Sequence, residues 1–253
     1  MNEQLEKIKK DTGADEVHLL IPTVSIEQIN PYYQLEKATI KADIGPNSSD
    51  IFQVGSKNID GKWEKQYSLC KPFLEKLAAA AGISMNPMSS TVSMTSSTTF
   101  EGHVDGAIVG SDGIPRLISN CKIIDMKLEE KKCRNEKLKK IQNGFIRSDA
   151  EKVAKIYKGE WKDVEYNGKT VKTFFIAQSD VNKYVNDAVD AALTQLWKDA
   201  PQKAFTGAWL RLIRSALGMK GTYTQSELKK PFVVTRLNFK PDFTDPAVKK
   251  MAL

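Results

Sequence analysis

Residues 197–232, WKDAPQKAFTGAWLRLIRSALGMKGTYTQSELKKPF, constrain the fold of this chain more than any other stretch. At about 100° per residue, a helix from Lys203 to Leu217 gathers Phe205, Trp209, Leu212 and Ala216 on one side and Lys203, Gly207, Arg211 and Arg214 on the other. The first side must be buried. The second is a cationic ridge, on which Gly207, lacking a Cβ, admits close approach by a partner. Gly218 follows as a C-cap, and Thr224 with Glu227 has capping-box spacing for a second helix that Pro231 ends. Trp209, Phe205 and Leu212 are therefore assigned to the core, together with Trp197.

The 253 residues suffice for one large domain or two small ones. No apolar run reaches the roughly 18 residues of a membrane span, and the charged opening MNEQLEKIKKD has no apolar signal core behind it, so a cytoplasmic protein is expected. Cys70, Cys121 and Cys133 are odd in number and lack paired spacing, which fits a reducing compartment and argues against disulfides and a zinc knuckle.

Along the chain, Asn2–Lys10 and Ile26–Lys37 read as helices, and Gly45-Pro46-Asn47 as a turn. Ser68–Ala81 reads as a helix with Leu69, Phe73, Leu77 and Ala80 on one face and Gly82 as its stop. The Ser/Thr-rich residues 89–99 read as a loop. Alternation over Phe100–Val109, Asp112-Gly113 and then Arg116–Met126 predict a hairpin or meander. Ser148 and Glu151 have capping-box spacing for a helix ending near Gly159, and Asn167-Gly168 within Val164–Ile176 is a hairpin signal. Ser179 is the expected cap of a helix through Leu193 and Trp197, whose Ala188, Val189, Ala192, Leu193 and Leu196 are read as core or subunit contact. The expected fold class is α+β with a small antiparallel sheet packed with helices. Residues 1–240 are expected to form one domain and 241–253 a short tail.

The net charge of +7 favours polyanionic partners such as nucleic acid. Cations concentrate between Lys122 and Lys158, a segment that reads either as a nucleic-acid contact or as a solvated helix face laced with ion pairs.

Most enzyme signatures are missing from the sequence. Gly168-Lys169-Thr170 imitates the end of a P-loop, but Asp163 stands where the upstream glycine would be needed. His18 and His103 lack metal-type spacing, and Met85, Met88 and Met94 read as filler. No catalytic residue, metal or cofactor is assigned. One enzymatic alternative remains: Asp112, Asp125 and Lys127 resemble the acidic strand and Asp-x-Lys arrangement of restriction-like nucleases, in which two carboxylates hold Mg²⁺ and a lysine orients the attacking water. A basic scaffold or adaptor is the second alternative.

Trp197, Pro201, Arg214, Leu217, Gly218, Gly221, Tyr223 and Glu227 stand in an order that resembles the RecT/Red-beta family of phage single-strand annealing proteins, over the last quarter of the chain. The resemblance implies a small twisted sheet backed by helices and assembly of copies into rings or filaments. It also implies ATP-independent annealing of single-stranded DNA through a duplex intermediate in phage-type recombination, with an exonuclease as a partner. Phosphate contacts are expected first from Lys203, Arg211, Arg214 and Lys220, and second from Lys169 and Lys172. Tyr223 is read either as a base-stacking ring or as an aromatic that closes the turn.

Overall fold

The computed structural model describes residues 10, 17–21, 32–59, 61–109, 114–166, 168–244 and 246–252. Over these residues the chain is α+β, with small, mainly antiparallel sheets and six helices. Its strands are β1 (His18–Leu20), β2 (Tyr33–Ile40), β3 (Ile51–Ile59), β4 (Lys62–Leu69), β5 (Ser84–Met85), β6 (Thr91–Ser96), β7 (Thr99–Val109), β8 (Pro115–Asp125), β9 (Phe145–Ile146), β10 (Gly159–Tyr166), β11 (Lys169–Ile176), β12 (Tyr223–Thr224) and β13 (Phe232–Phe239). The helices are α1 (Lys71–Ala81), α2 (Met126–Asn143), α3 (Arg147–Ala154), α4 (Gln178–Ala216), α5 (Gln225–Leu228) and α6 (Pro246–Ala252). No helix among the described residues is long and apolar enough to cross a membrane.

Most signals whose cause lies within a few residues behave as expected, the Ser148 and Ser179 caps being exceptions. Gly82, at φ 71°, stops α1 and directs its N–H to the carbonyls of Ala78 and Ala79. Gly218, at φ 61°, closes α4, and the Met219 N–H reaches the Arg214 carbonyl at 2.8 Å. Tyr166 pairs with Lys169 across a two-residue turn in which Gly168 has φ 73°. Ser48 N–H closes the Gly45-Pro46-Asn47 turn onto the Gly45 carbonyl. In β7, Phe100, Val104 and Ile108 alternate inward with the small Gly102 and Gly106. β8 pairs with β7 as the hairpin or meander reading requires, while Asp112 and Gly113 lie outside the described residues.

Longer-range pairing overrides local propensity elsewhere. Of the expected helix Ile26–Lys37, residues 26–31 lie outside the described set, as does Asn2–Lys10 apart from Lys10. Tyr33–Lys37 is strand, because β2 pairs antiparallel with β13, Tyr33 against Phe239 through Ile40 against Phe232. Ser68 and Leu69 end strand β4, and α1 begins only at Lys71, with Pro72 in its first turn. Part of the Ser/Thr-rich stretch is strand β6, which pairs with β7. Ser148 is not a cap: α3 starts at Arg147 behind Ile146 with no side-chain capping bond, and it stops at Ala154. Residues 246–252, within the expected tail, form α6 with Val248 only 1% exposed.

The two helices expected on either side of Pro201 are one helix of 39 residues that begins at Gln178, so Ser179 lies inside it. Proline removes one helical hydrogen bond. Here Ala200 and Ala204 beside it are fully buried against Phe100, Ile124 and Met126, and that packing offsets the loss.

The described residues group into two compact units. The first draws on residues 1–91, 102–122 and 205–253. Its core joins Phe73, Leu74 and Leu77 of α1, Val104 of β7, Trp209, Leu212 and Ile213 of α4, and Phe232 and Val234 of β13. The second comprises 92–101 and 123–204. Phe145, Phe174 and Ile176 of its hairpin sheet pack on Tyr184, Val185 and Val189 of α4. Val189 is therefore core, whereas Ala192 is exposed.

Candidate nucleic-acid interface

The buried side of the C-terminal half of α4 is the one anticipated: Trp209 is 8% exposed, and Leu212 and Ala216 less. The cationic side is put to several uses. Arg211 is exposed and donates from Nη1 to the Cys121 carbonyl at 3.1 Å. Arg214 lies half-buried, and its Nη2 donates to the Leu69 carbonyl at 3.0 Å and to Ser68 Oγ at 3.4 Å. Burial draws its pKa down from the usual arginine value. Arg214 thus closes off the end of β4 and is not part of an open ridge. Gly207 does admit close approach, but from within the chain: a Cβ there would fall 2.1 Å from Cδ of Lys122. Trp197, assigned to the core, is 38% exposed and meets Phe100 edge-on.

Past the helix, Lys220 extends its ammonium to Glu227 Oε1 at 2.7 Å. Glu227 completes the capping box with Thr224. Burial opposes its ionisation, but Lys220 and the Thr224 N–H and hydroxyl outweigh that and hold its carboxyl below the ordinary value. Tyr223 is 2% exposed, with its ring against Phe232 and His18. That placement matches the turn-closing reading and leaves no ring face for a base.

In the second unit, Lys203 is exposed and 3.6 Å from Asp199. Lys169 and Lys172 occupy β11, but alternation sends them to opposite faces of the β10–β11 ribbon. Lys172 lies over the ring of Trp161 at 5.4 Å, a residue 43% exposed that the sequence reading missed. This ribbon is no cationic surface, since Lys162, Lys169 and Lys172 are matched by Glu160, Asp163 and Glu165.

Helix α2 is different. It carries Lys127, Lys131, Lys132, Arg134, Lys137, Lys139 and Lys140 against Glu129, Glu130 and Glu136, and its only buried residue is Met126. Part of this charge is neutralised, by Glu129 for Lys132, Glu130 for Arg134 and Asp149 for Lys140. Lys127, Lys131, Asn135 and Lys139 recur every fourth residue and are all exposed. They form a row stepping about 6 Å along the axis. The charge of this segment is legible in the sequence, whereas the row exists only once the helix is in place.

The nuclease-like set is distributed otherwise. Asp112 lies outside the described residues. Asp125 caps α2, with Oδ1 accepting from the N–H groups of Lys127 at 2.9 Å and Leu128 at 3.3 Å. Among the described residues no three His, Cys, Asp or Glu side chains gather as a metal site. His103 pairs with Asp105 at 3.0 Å, and Ser90 Oγ donates to the carbonyl of Asn86 at 2.6 Å. Family models, curated proteins and solved structures were compared with the chain, and nothing matches.

Proposed function

We propose that this protein binds single-stranded DNA and promotes its annealing without ATP, as part of phage-type recombination. The observation that carries the reading is the exposed row Lys127, Lys131, Asn135 and Lys139 on a helix with four more cations than acids. The three ammonium groups of such a row neutralise phosphates, the Asn135 amide can donate to another, and base edges stay free to search for a complement. The resemblance of Trp197, Pro201, Arg214, Leu217, Gly218, Gly221, Tyr223 and Glu227 to the annealing family supports the same reading, as does the net charge of +7. Lys203, Arg211, Lys220, Lys169 and Lys172 are exposed secondary candidates for phosphate contact, Lys203 and Lys220 only on release from Asp199 and Glu227. Annealing needs many nucleotides held in register, so the active form is a homo-oligomer in the host cytoplasm that acts on strands exposed by an exonuclease.

The test is pairing of two complementary fluorescent oligonucleotides without ATP, at two salt concentrations and in EDTA or Mg²⁺. Acceleration that survives EDTA and weakens with salt is expected. Absence of binding and acceleration sinks the proposal. Strands shortened only in Mg²⁺ transfer the function to Asp112, Asp125 and Lys127.

A further inference from the structure

In the first unit, Trp63 of β4 is 74% exposed, the most solvent-accessible of the chain's large aromatic rings among the described residues. A tryptophan left this open makes little contribution to a core and leaves its ring available for stacking. β4 pairs with β3 in steady alternation from Lys62 to Leu69, and the register shift at Gln53/Gly55 falls on β3. Trp63, Lys65 and Tyr67 therefore share one face of β4, each about 7 Å from the next.

Lys65 and Tyr67 of that face line a groove, and Trp63 stands just beyond its lining, the next residue of the face along the strand. A cavity of about 530 Å³ is lined by Ile44, Phe52, Gln53, Lys65, Tyr67 and Gln225. A second of about 390 Å³ shares Lys65 and Gln225 with it and extends to Glu64, Ser226 and Lys229. Tyr67 packs one side on the core and turns the other into the groove. Lys65 and Lys229 against Glu64 leave the lining cationic, and Gln53 and Gln225 supply amides that both donate and accept. Aromatic, cation, aromatic with amides alongside is the order that meets base, phosphate and base.

We infer that this groove and the adjoining Trp63 together form a single-strand binding site, in which a nucleobase stacks on Trp63 at the groove's edge and the neighbouring phosphates lie against Lys65 and Lys229. The inference rests on the reading of the chain as a single-strand binder, and adds a residue that contacts bases to one built on phosphate contacts. Stacking tolerates every base, so the site would hold any sequence, which an annealing protein requires.

The experiment compares the affinity of wild type, Trp63→Ala, Trp63→Phe and Lys65→Glu for a fluorescent oligo(dT) and for an abasic oligomer of equal length. Thermal melting of each variant confirms that it is folded, as expected for substitutions at exposed positions. Trp63→Ala is expected to weaken oligo(dT) binding about tenfold, the scale of one missing base stack, with Trp63→Phe recovering most of it. Neither substitution should alter abasic binding, whereas Lys65→Glu weakens both ligands and lowers the salt slope by about 0.7 for each phosphate no longer neutralised. If wild type binds oligo(dT) and Trp63→Ala binds it equally well, or weakens by the same factor on both oligomers, stacking is overturned while the annealing reading stands. If wild type binds neither oligomer, both fall together.

Discussion

The guanidinium of Arg214 donates to the main-chain carbonyl of Leu69 at 3.0 Å, tying the last residue of β4 to a helix 145 positions further along the chain. Arg211, three residues earlier, faces solvent and bonds the Cys121 carbonyl. Two arginines of one helical ridge thus have separable consequences. Arg214→Glu is expected to lower stability by about 2 kcal/mol or more, because the carbonyl it serves loses a charged donor and a new carboxylate is half-buried. Arg211→Glu should stay within about 1 kcal/mol of wild type. Urea unfolding monitored by circular dichroism distinguishes them, and equal midpoints would contradict the assignment.

Gly159 opens β10 where a side chain has no room. A Cβ there would lie 2.1 Å from the Phe175 carbonyl oxygen and 2.5 Å from Cζ of Phe174. Backbone cannot step aside as a flexible side chain can, so Gly159→Ala should cost roughly 1–3 kcal/mol. At Gly207→Ala the nearest atoms are the flexible end of Lys122, its Cδ, Cε and Nζ, which can swing aside, and the helix gains propensity, so the change should be close to neutral. Paired thermal melts of the two variants test the contrast.

Reversing charge on the α2 row should act on binding and spare folding. Lys131→Glu with Lys139→Glu removes two exposed ammonium groups for which no ion pair is seen among the described residues. Affinity for oligo(dT) should fall, and the slope of log K against log salt should shrink by about 1.4, twice the single-strand value per phosphate. Fluorescence anisotropy over a salt series reads both, and an unchanged slope would place the phosphate contacts elsewhere.

Glu227 links the α5 cap to acid stability. Its folded pKa lies below its unfolded one, so its contribution is present above the unfolded value and is lost as pH falls through the folded value. Glu227→Gln should therefore be less stable than wild type at neutral pH, by about 1 kcal/mol on the scale of a missing cap. The difference should vanish in strong acid. Urea midpoints on either side of that range check the sign, and a difference that grows on acidification would refute it.

Legibility followed the distance over which each feature is caused. The Gly82 stop, the Gly168 turn, the Thr224–Glu227 cap and the buried side of Trp209 and Leu212 each depend on residues within a turn or two, so spacing alone revealed them. β13 was invisible in the sequence because its hydrogen bonds are supplied by β2, with Phe232 against Ile40. Likewise the short strand β12 exists only because Tyr223 meets Tyr67.

What this sequence determined by itself was composition and periodicity: an α+β chain with cationic excess, one amphipathic helix, and glycine and capping signals at the ends of its elements. Only the tertiary structure decided which cations face water, because exposure depends on neighbours far away along the chain. It tied Arg214 to Leu69, enclosed Tyr223 beside Phe232, and left Trp63 and the row from Lys127 to Lys139 open to solvent. Burial weighs each side chain against everything packed around it, and no window of neighbouring residues contains that information.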